Sequence, residues 1–410
     1  MKNGIYIIIT PTISNVGGSQ IYSLNKIHYL RRNGFKTFIV HSNIGNNIII
    51  DELKQFTYYG YNKLKFPAQF FTQNERNKLI RKLICSLQIT STDNIIIESH
   101  TITCATWGEL IASKLNAKHL IYLLSEYPKL ENNGYFTFLK FKYNRKELAG
   151  ITPHSLNFLF KNWLSIEANK CWSLPAYCSN VLDDIRIKFS IPFEKYDYII
   201  GSIGRIDKPF ILDALDDIIL FSKSVHEKQL LLILIGGGSN RNKTKIINKL
   251  KRQKNITLYI TGNIYPIPIE LIKKIDVFLS TAGSCRVSNS IGKLTISFDV
   301  NDKKPIGILN HTTTNTIYRN LNEPKLSLFE LLNDILINKK YKENIIPINL
   351  QILNDIDFKS HLEFILSSKK EKQYFNISFI NKSRRDIVRI ICIRIFSTNL
   401  FYRIKTLIKK

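Results

Sequence analysis

Residues 4–10, GIYIIIT, form an apolar run with no polar alternation. A strand reads this way when both of its faces are covered, which is the situation of a parallel sheet flanked by helices. The residues that follow fit that demand. A loop over 11–18 leads into 19–33, where Ile21, Leu24, Ile27, His28 and Leu30 fall on helical spacing. Gly34 stops the helix, and FKTFIVHS (35–42) reads as the next strand. Parallel neighbours need a crossover, and this βαβ unit is long enough to supply one.

The alternation continues with NIIIES (94–99) as a strand, a helix over 106–115, and HLIYLL (119–124) as a strand. GITPH (150–154) is a short strand before a helix over 155–162. Between 175 and 192 the pattern loosens, and 190–192 reads as a linker. The same grammar then restarts. YDYIIGSIG (196–204) is a strand, a helix begins at Ile211, LLILIGGG (231–238) is a strand and a helix begins at Thr244. NITLYITG (255–262), a helix over 268–274, DVFLST (276–281) and LTISFD (294–299) complete the series. The expected architecture is therefore two successive doubly wound α/β domains, 1–190 and 191–366, followed by a tail, 367–410.

Composition narrows the function classes. Six scattered cysteines with no CxxC pair exclude a disulfide framework and a zinc ribbon, and point to reduced thiols in a cytoplasmic setting. The first residues lack the long apolar region and cleavage site of a signal peptide, and no apolar run is long enough to span a bilayer. The 59 basic and 32 acidic residues leave a formal charge of +27, which implies an anionic partner. Residues 241–254 carry seven basic residues and no acidic one. Over 369–410 there are 12 basic and 2 acidic residues. No helix-turn-helix, RNA-recognition or zinc-finger signature accompanies this charge, so nucleic acid is not the expected partner.

In open α/β sheets ligands bind beyond the carboxyl ends of the strands, and four loops stand out there. Gly17 and Gly18, ahead of the first helix, let backbone amides approach a phosphate, or else make a plain tight turn. Arg205 and Lys208, after the strand ending at Gly204, have the chemistry of a diphosphate clamp, or are two surface charges. Residues 236–244, GGGSNRNKT, come close to a P-loop, but Asn242 stands where the second glycine is required. Ser280, Gly283 and Ser284 form a small-residue turn suited to cupping an anion. The adjacent acidic pairs Asp183-Asp184 and Asp216-Asp217 fall in a linker and a helix, so no metal site is expected in the strand-end loops.

Together these features resemble the GT-B glycosyltransferases, in particular the large retaining family that builds bacterial polysaccharides and glycolipids. The resemblance lies in GGSQIYSLNKIHYLRRNGFKTFIVHS, IGSIGRIDKPF, LLLILIGGG, NITLYITGNI and IDVFLST, taken in that order. It implies two Rossmann-like domains facing a cleft and transfer of a sugar from a nucleoside-diphosphate sugar, without metal or other cofactor. It further implies that Arg205 and Lys208 neutralise the leaving diphosphate and that Gly17 and Gly18 contact the donor. Ser280, Gly283 and Ser284 would complete the donor site. His100, closing NIIIES, matches the histidine lining the reaction centre, against the alternative of a structural strand-end residue. The chain departs from the family in one respect: STAGSCRVSNSIGKLTISFD (280–299) contains neither of the family's two glutamates. A nucleotide-sugar epimerase on the same fold and a non-enzymatic anionic-polymer binder are the alternatives.

The expected acceptor is a lipid-linked or growing surface polysaccharide, with the enzyme peripheral on the inner face of a bacterial plasma membrane. The tail supports that placement, because Arg384 to Lys410 interleaves isoleucine, leucine and phenylalanine with cations. A closing helix packed back on the N-terminal domain is the competing reading of the same residues.

Overall fold

The computed structural model describes residues 4–14, 16–42, 48, 50–89, 94–126, 128, 130, 132–161, 170–176, 178, 180–185, 189–343, 350–369 and 372–408. The strands are β1 (Gly4–Thr10), β2 (Lys36–His41), β3 (Thr57–Gly60), β4 (Asn94–Ser99), β5 (Lys118–Leu123), β6 (Leu148–Gly150) and β7 (Leu182–Asp183), then β8 (Tyr198–Ile203), β9 (Leu230–Ile235), β10 (Ile256–Gly262), β11 (Ile267–Pro268), β12 (Val277–Ser280), β13 (Leu294–Phe298) and β14 (Pro305–Ile308). The helices are α1 (Gly18–Arg32), α2 (Gln73–Leu87), α3 (Ile102–Leu115), α4 (Phe136–Asn144), α5 (Pro153–Leu159), α6 (Pro209–Ser224), α7 (Asn240–Leu250), α8 (Ile269–Lys273), α9 (Gly283–Asn289), α10 (Leu328–Leu332), α11 (Leu350–Leu366) and α12 (Arg384–Ile408).

The first compact unit comprises 1–15, 22–177 and 350–410. Its sheet is wholly parallel, in the order β3-β2-β1-β4-β5-β6. All seven residues of β1 are buried, as an apolar central strand requires. α3 starts where the Thr101 hydroxyl caps the Cys104 amide at 3.2 Å, and α2 starts on a reciprocal capping box between Thr72 and Glu75. Trp107 on α3 is fully buried and donates its indole N–H to the Phe66 carbonyl at 2.8 Å.

The second unit comprises 16–21 and 178–349. Its sheet has the order β10-β9-β8-β12-β13-β14, parallel except for the antiparallel edge pair β13–β14. All six residues of β9 are buried. β7 and β11 form a separate two-stranded parallel pair.

The division differs from the expected boundaries at 190 and 366. The chain changes unit at 177/178, and α11 together with the tail belongs to the first unit. The physical reason is packing: Phe358 and His361 of α11 are fully buried against Tyr22, and Ile377, Ile380, Ile390 and Ile393 join the first core. The closing-helix reading therefore accounts for one face of α12. β3, β7, β11, β14, α2, α4, α9, α10 and α11 are additional to the elements read from the sequence.

Candidate active site

Each sheet has a point where successive strands diverge to opposite sides, and ligands of doubly wound folds bind beyond it. In the first unit that point lies between β1 and β4, and His100 sits on it, its amide donating to the Ile9 carbonyl at 3.0 Å. In the second unit it lies between β8 and β12, flanked by the loops that carry Arg205–Lys208 and Thr281–Ser284.

In the second unit the structure brings those two loops together. The Lys208 ammonium donates to Ser284 Oγ at 2.9 Å and to the Thr281 carbonyl at 3.3 Å. Arg205 is exposed and Lys208 half-buried. Asp207, between them, turns away to the neighbouring loop. It accepts from the Ser239 amide and hydroxyl and from Asn242 Nδ2 at 2.9 Å. Partial burial pushes its carboxyl up, but the Ser239 and Asn242 hydrogen bonds and the Arg205 charge together hold it below the usual range.

Two glycines make this approach sterically open. Gly204 has φ +122°, and a Cβ there would meet Lys208 Nζ at 2.9 Å. Gly236 has φ +151°, and a Cβ there would lie 2.1 Å from the Gly204 carbonyl oxygen. Gly236 and Gly238 thus serve the close passage of the β8 and β9 loops, while Gly237 makes room for Asn263. At the end of β12, Ser280 is fully buried and its hydroxyl has no partner among the described residues. Ala282 holds φ +57° and ψ −139°, a strained turn for a residue with a side chain. Gly17 and Gly18 open α1, where the Gln20 and Ile21 amides both donate to the Gly17 carbonyl at 3.1 Å. A Cβ on Gly18 would touch the Cys178 side chain at 3.1 Å. Asn15, ahead of these glycines, lies outside the described residues.

The first unit presents a different picture. His100 is buried, and its Nε2 lies 2.9 Å from Glu98 Oε1. Glu98 is fully buried and also receives Tyr22 Oη at 2.8 Å, Tyr6 Oη and the Lys26 ammonium. These four donors fill the acceptor positions of an ionised carboxylate. Lys26, also fully buried, spends its three protons on Glu98, on Tyr22 Oη at 2.8 Å and on His361 Nδ1 at 3.2 Å. His361 Nε2 lies 2.9 Å from the Pro175 carbonyl, which can only accept, so Nδ1 carries the lone pair. Burial drives His361 down to about 3, with Lys26 adding to the effect. Burial alone would raise the Glu98 carboxyl, but Lys26, followed by His100, holds it well below the carboxylate range. Because ionised Glu98 can only accept, His100 presents an N–H to it at Nε2. His100 Nδ1 is buried, with no partner among the described residues.

A second buried set joins Glu109, Lys142 and His119. Lys142 Nζ lies 2.8 Å and His119 Nδ1 2.6 Å from Glu109 Oε2, while the Phe375 amide donates to Oε1 at 2.7 Å. Sequence reasoning missed both networks. Lys26 and His361 are 335 positions apart, and nothing local in either segment signals the other. No group of three His, Cys, Asp or Glu side chains that could hold a metal ion occurs among the described residues.

No family model matches the chain, and no curated protein does. Solved structures do. A glycosyltransferase from Rickettsia africae is similar at 16 % identity, over 89 % of this chain and 96 % of that one, with a TM-score of 0.56. The sucrose-phosphate synthase of Thermosynechococcus elongatus is similar at 14 % identity, over 88 % and 96 %, with a TM-score of 0.51. A UDP-GlcNAc 2-epimerase from Neisseria meningitidis, bound to UDP-GlcNAc, aligns at 14 % identity over 90 % and 100 %, with a TM-score of 0.47. The first two likenesses extend over both units, and the chain has the fold of the GT-B class, two Rossmann-like parallel sheets in one polypeptide.

Proposed function

We propose that the chain is a glycosyltransferase moving a sugar from a nucleoside-diphosphate sugar to a lipid-linked or growing surface polysaccharide, with retention and without a metal ion. The observation that carries this reading is the meeting of Lys208 with the 281–284 turn beside exposed Arg205 at the β8/β12 divergence. A leaving diphosphate needs fixed positive charge where its own charge develops, and an ammonium already held in place costs no reorganisation at that moment. Arg205 adds a planar, bidentate donor. In this reading Ser280, Gly283 and Ser284 line the donor site, and Gly17 and Gly18 offer amides to the distal phosphate or sugar. His100 lines the reacting centre with its buried Nδ1. The first unit takes the acceptor, and the basic tail brings the enzyme to the anionic inner face of a bacterial plasma membrane.

The test is calorimetric titration with a panel of nucleoside diphosphates and their sugars, repeated in excess EDTA. Saturable binding of one diphosphate that survives chelation and is lost in Arg205→Ala supports the reading. Absence of binding to every member, or complete magnesium-dependent binding, overturns it. Release of an isomerised free nucleotide sugar without acceptor would establish epimerase chemistry instead.

A further inference from the structure

α12 carries two apolar faces, and only one of them is used in folding. Ile390 and Ile393 are buried in the first core. Asp386 is fixed from several directions: Asn132 Nδ2 and Ser383 Oγ each donate to it at 2.8 Å, and its own amide donates to Ser383 Oγ at 3.2 Å. The other side is bare. Val388 is 59 % and Ile395 67 % exposed, and Ile387 and Ile391 are each about half exposed. Phe379, just ahead of the helix, is 72 % exposed.

At about 100° per residue, Ile387, Ile391, Ile395 and Val388 fill one arc of roughly 100°, while Ile390 and Ile393 lie more than about 100° from its centre. Arg394 flanks one edge of the arc, Arg385 the other, and exposed Arg384 stands at its N-terminal end. A helix that closes a domain needs a single apolar stripe. A second, solvent-facing stripe marks a surface that is covered in use.

We propose that this outward stripe of α12 is the contact with an anionic lipid bilayer. The choice of occupant rests on charge: arginines border the apolar arc on both sides, and 369–410 holds 12 basic residues against 2 acidic. Isoleucines enter the acyl boundary while the arginine stems extend to the headgroups. A second copy of the chain fits poorly, because a two-fold axis through the stripe sets its arginines against themselves. This rests on the reading of the tail as the membrane-facing part. It adds that the tail works through one face only, the opposite face being structural.

The experiment is flotation of the full chain with phosphatidylcholine–phosphatidylglycerol vesicles and with phosphatidylcholine vesicles, alongside melting temperature and solution mass. Truncation is unsuitable, since it strips Ile390 and Ile393 from the core. Wild type is expected to float with the anionic vesicles at low salt and not with the neutral ones. Ile391→Ser/Ile395→Ser should lose at least tenfold in binding with an unchanged melting temperature. Arg385→Gln/Arg394→Gln should lose roughly 25-fold, about fivefold for each cation. Ile390→Ala should do the reverse, lowering the melting temperature and leaving flotation intact. Unchanged flotation of the Ile391/Ile395 variant overturns the proposal, as does a dimer that this variant converts to monomer. Nucleoside-diphosphate binding measured without vesicles separates the two readings: flotation without donor binding leaves the lipid face standing and removes the transferase.

Discussion

The two units share one strand order and treat charge in opposite ways. In the first, Lys26 on α1 and Glu98 within β4 are fully buried, and each hydrogen-bonding position is filled from within the chain. Beyond β8 and β12, Arg205 is exposed and half-buried Lys208 donates to the Ser284 hydroxyl and the Thr281 carbonyl. A buried cation neutralised by a carboxylate has nothing left for a ligand, whereas an exposed one such as Arg205 keeps its charge available. Equal topology thus accompanies buried, paired charge in one unit and solvent-reaching charge in the other.

The strongest way to break this comparison is to remove both lysines by the same substitution. Lys26→Met leaves Glu98 buried without its cation and should cost about 3–5 kcal/mol of stability. Lys208→Met, at a half-buried site, should change stability by less than about 1 kcal/mol. Chemical denaturation of the two variants measures both. Equal costs would show that the two charges are alike in kind.

Function should invert that ranking. Arg205→Ala and Lys208→Ala are each expected to remove about 2–4 kcal/mol of transition-state stabilisation, roughly a 30- to 1,000-fold loss of transfer, with the melting temperature nearly unchanged. Initial rates with a donor identified by titration provide the measurement. Wild-type rates in both variants would take the clamp out of the mechanism.

Acid should act on the first unit. An unfolded histidine protonates near 6.5, while folded His361 does so only at about 3. Between those values the unfolded chain binds more protons, so stability falls as the pH falls, by at most ~1.4 kcal/mol per pH unit from this group. Glu109, held at about 2 against an ordinary 4.5 because Lys142 and His119 outweigh the effect of burial, adds a further loss below about 4.5. In His361→Gln, whose amide can still donate to the Pro175 carbonyl, the slope between pH 6.5 and 4.5 should flatten while the loss below pH 4.5 persists. Identical slopes in urea titrations would remove His361 as the source.

The parallel sheets and most of their strands were legible because fully buried strands leave continuous apolar runs: 94–99 matches β4 end to end, and 231–238 overlaps β9. The strand-end loops were legible for the same reason, since they begin where those runs stop. α2 was missed although Thr72 and Glu75 spell its capping box, because the eye follows apolar periodicity and the first turn of α2 is polar. β14 was missed because an edge strand of four residues after a turn carries no period to detect. The buried networks escaped for a different reason. Lys26 lies on a helix whose neighbours read as core, and only the return of α11 from the far end of the chain supplies His361. Contacts of that range are set by packing, and no local pattern encodes them. The tail was read as one amphipathic helix, but its two apolar faces separate only once the core is seen to take Ile390 and Ile393.

The finest test of the comparison concerns how Lys208 is held. Ser284 Oγ accepts from its ammonium at 2.9 Å, and removing that hydroxyl frees a long side chain that must be ordered again when a diphosphate arrives. Ordering such a side chain costs about 0.5–1.5 kcal/mol, so Ser284→Ala should weaken diphosphate binding by roughly two- to tenfold. Stability should barely move, because the Thr281 carbonyl still accepts a hydrogen bond from the Lys208 ammonium, which is only half-buried. The double variant Ser284→Ala/Lys208→Ala is the deciding measurement. If Ser284 acts by positioning Lys208, its loss adds nothing once Lys208 is gone, and the two free-energy changes fail to sum. If the changes do sum, Ser284 contacts the ligand itself, and the small-residue turn rather than the poised ammonium is what distinguishes the second unit from the first.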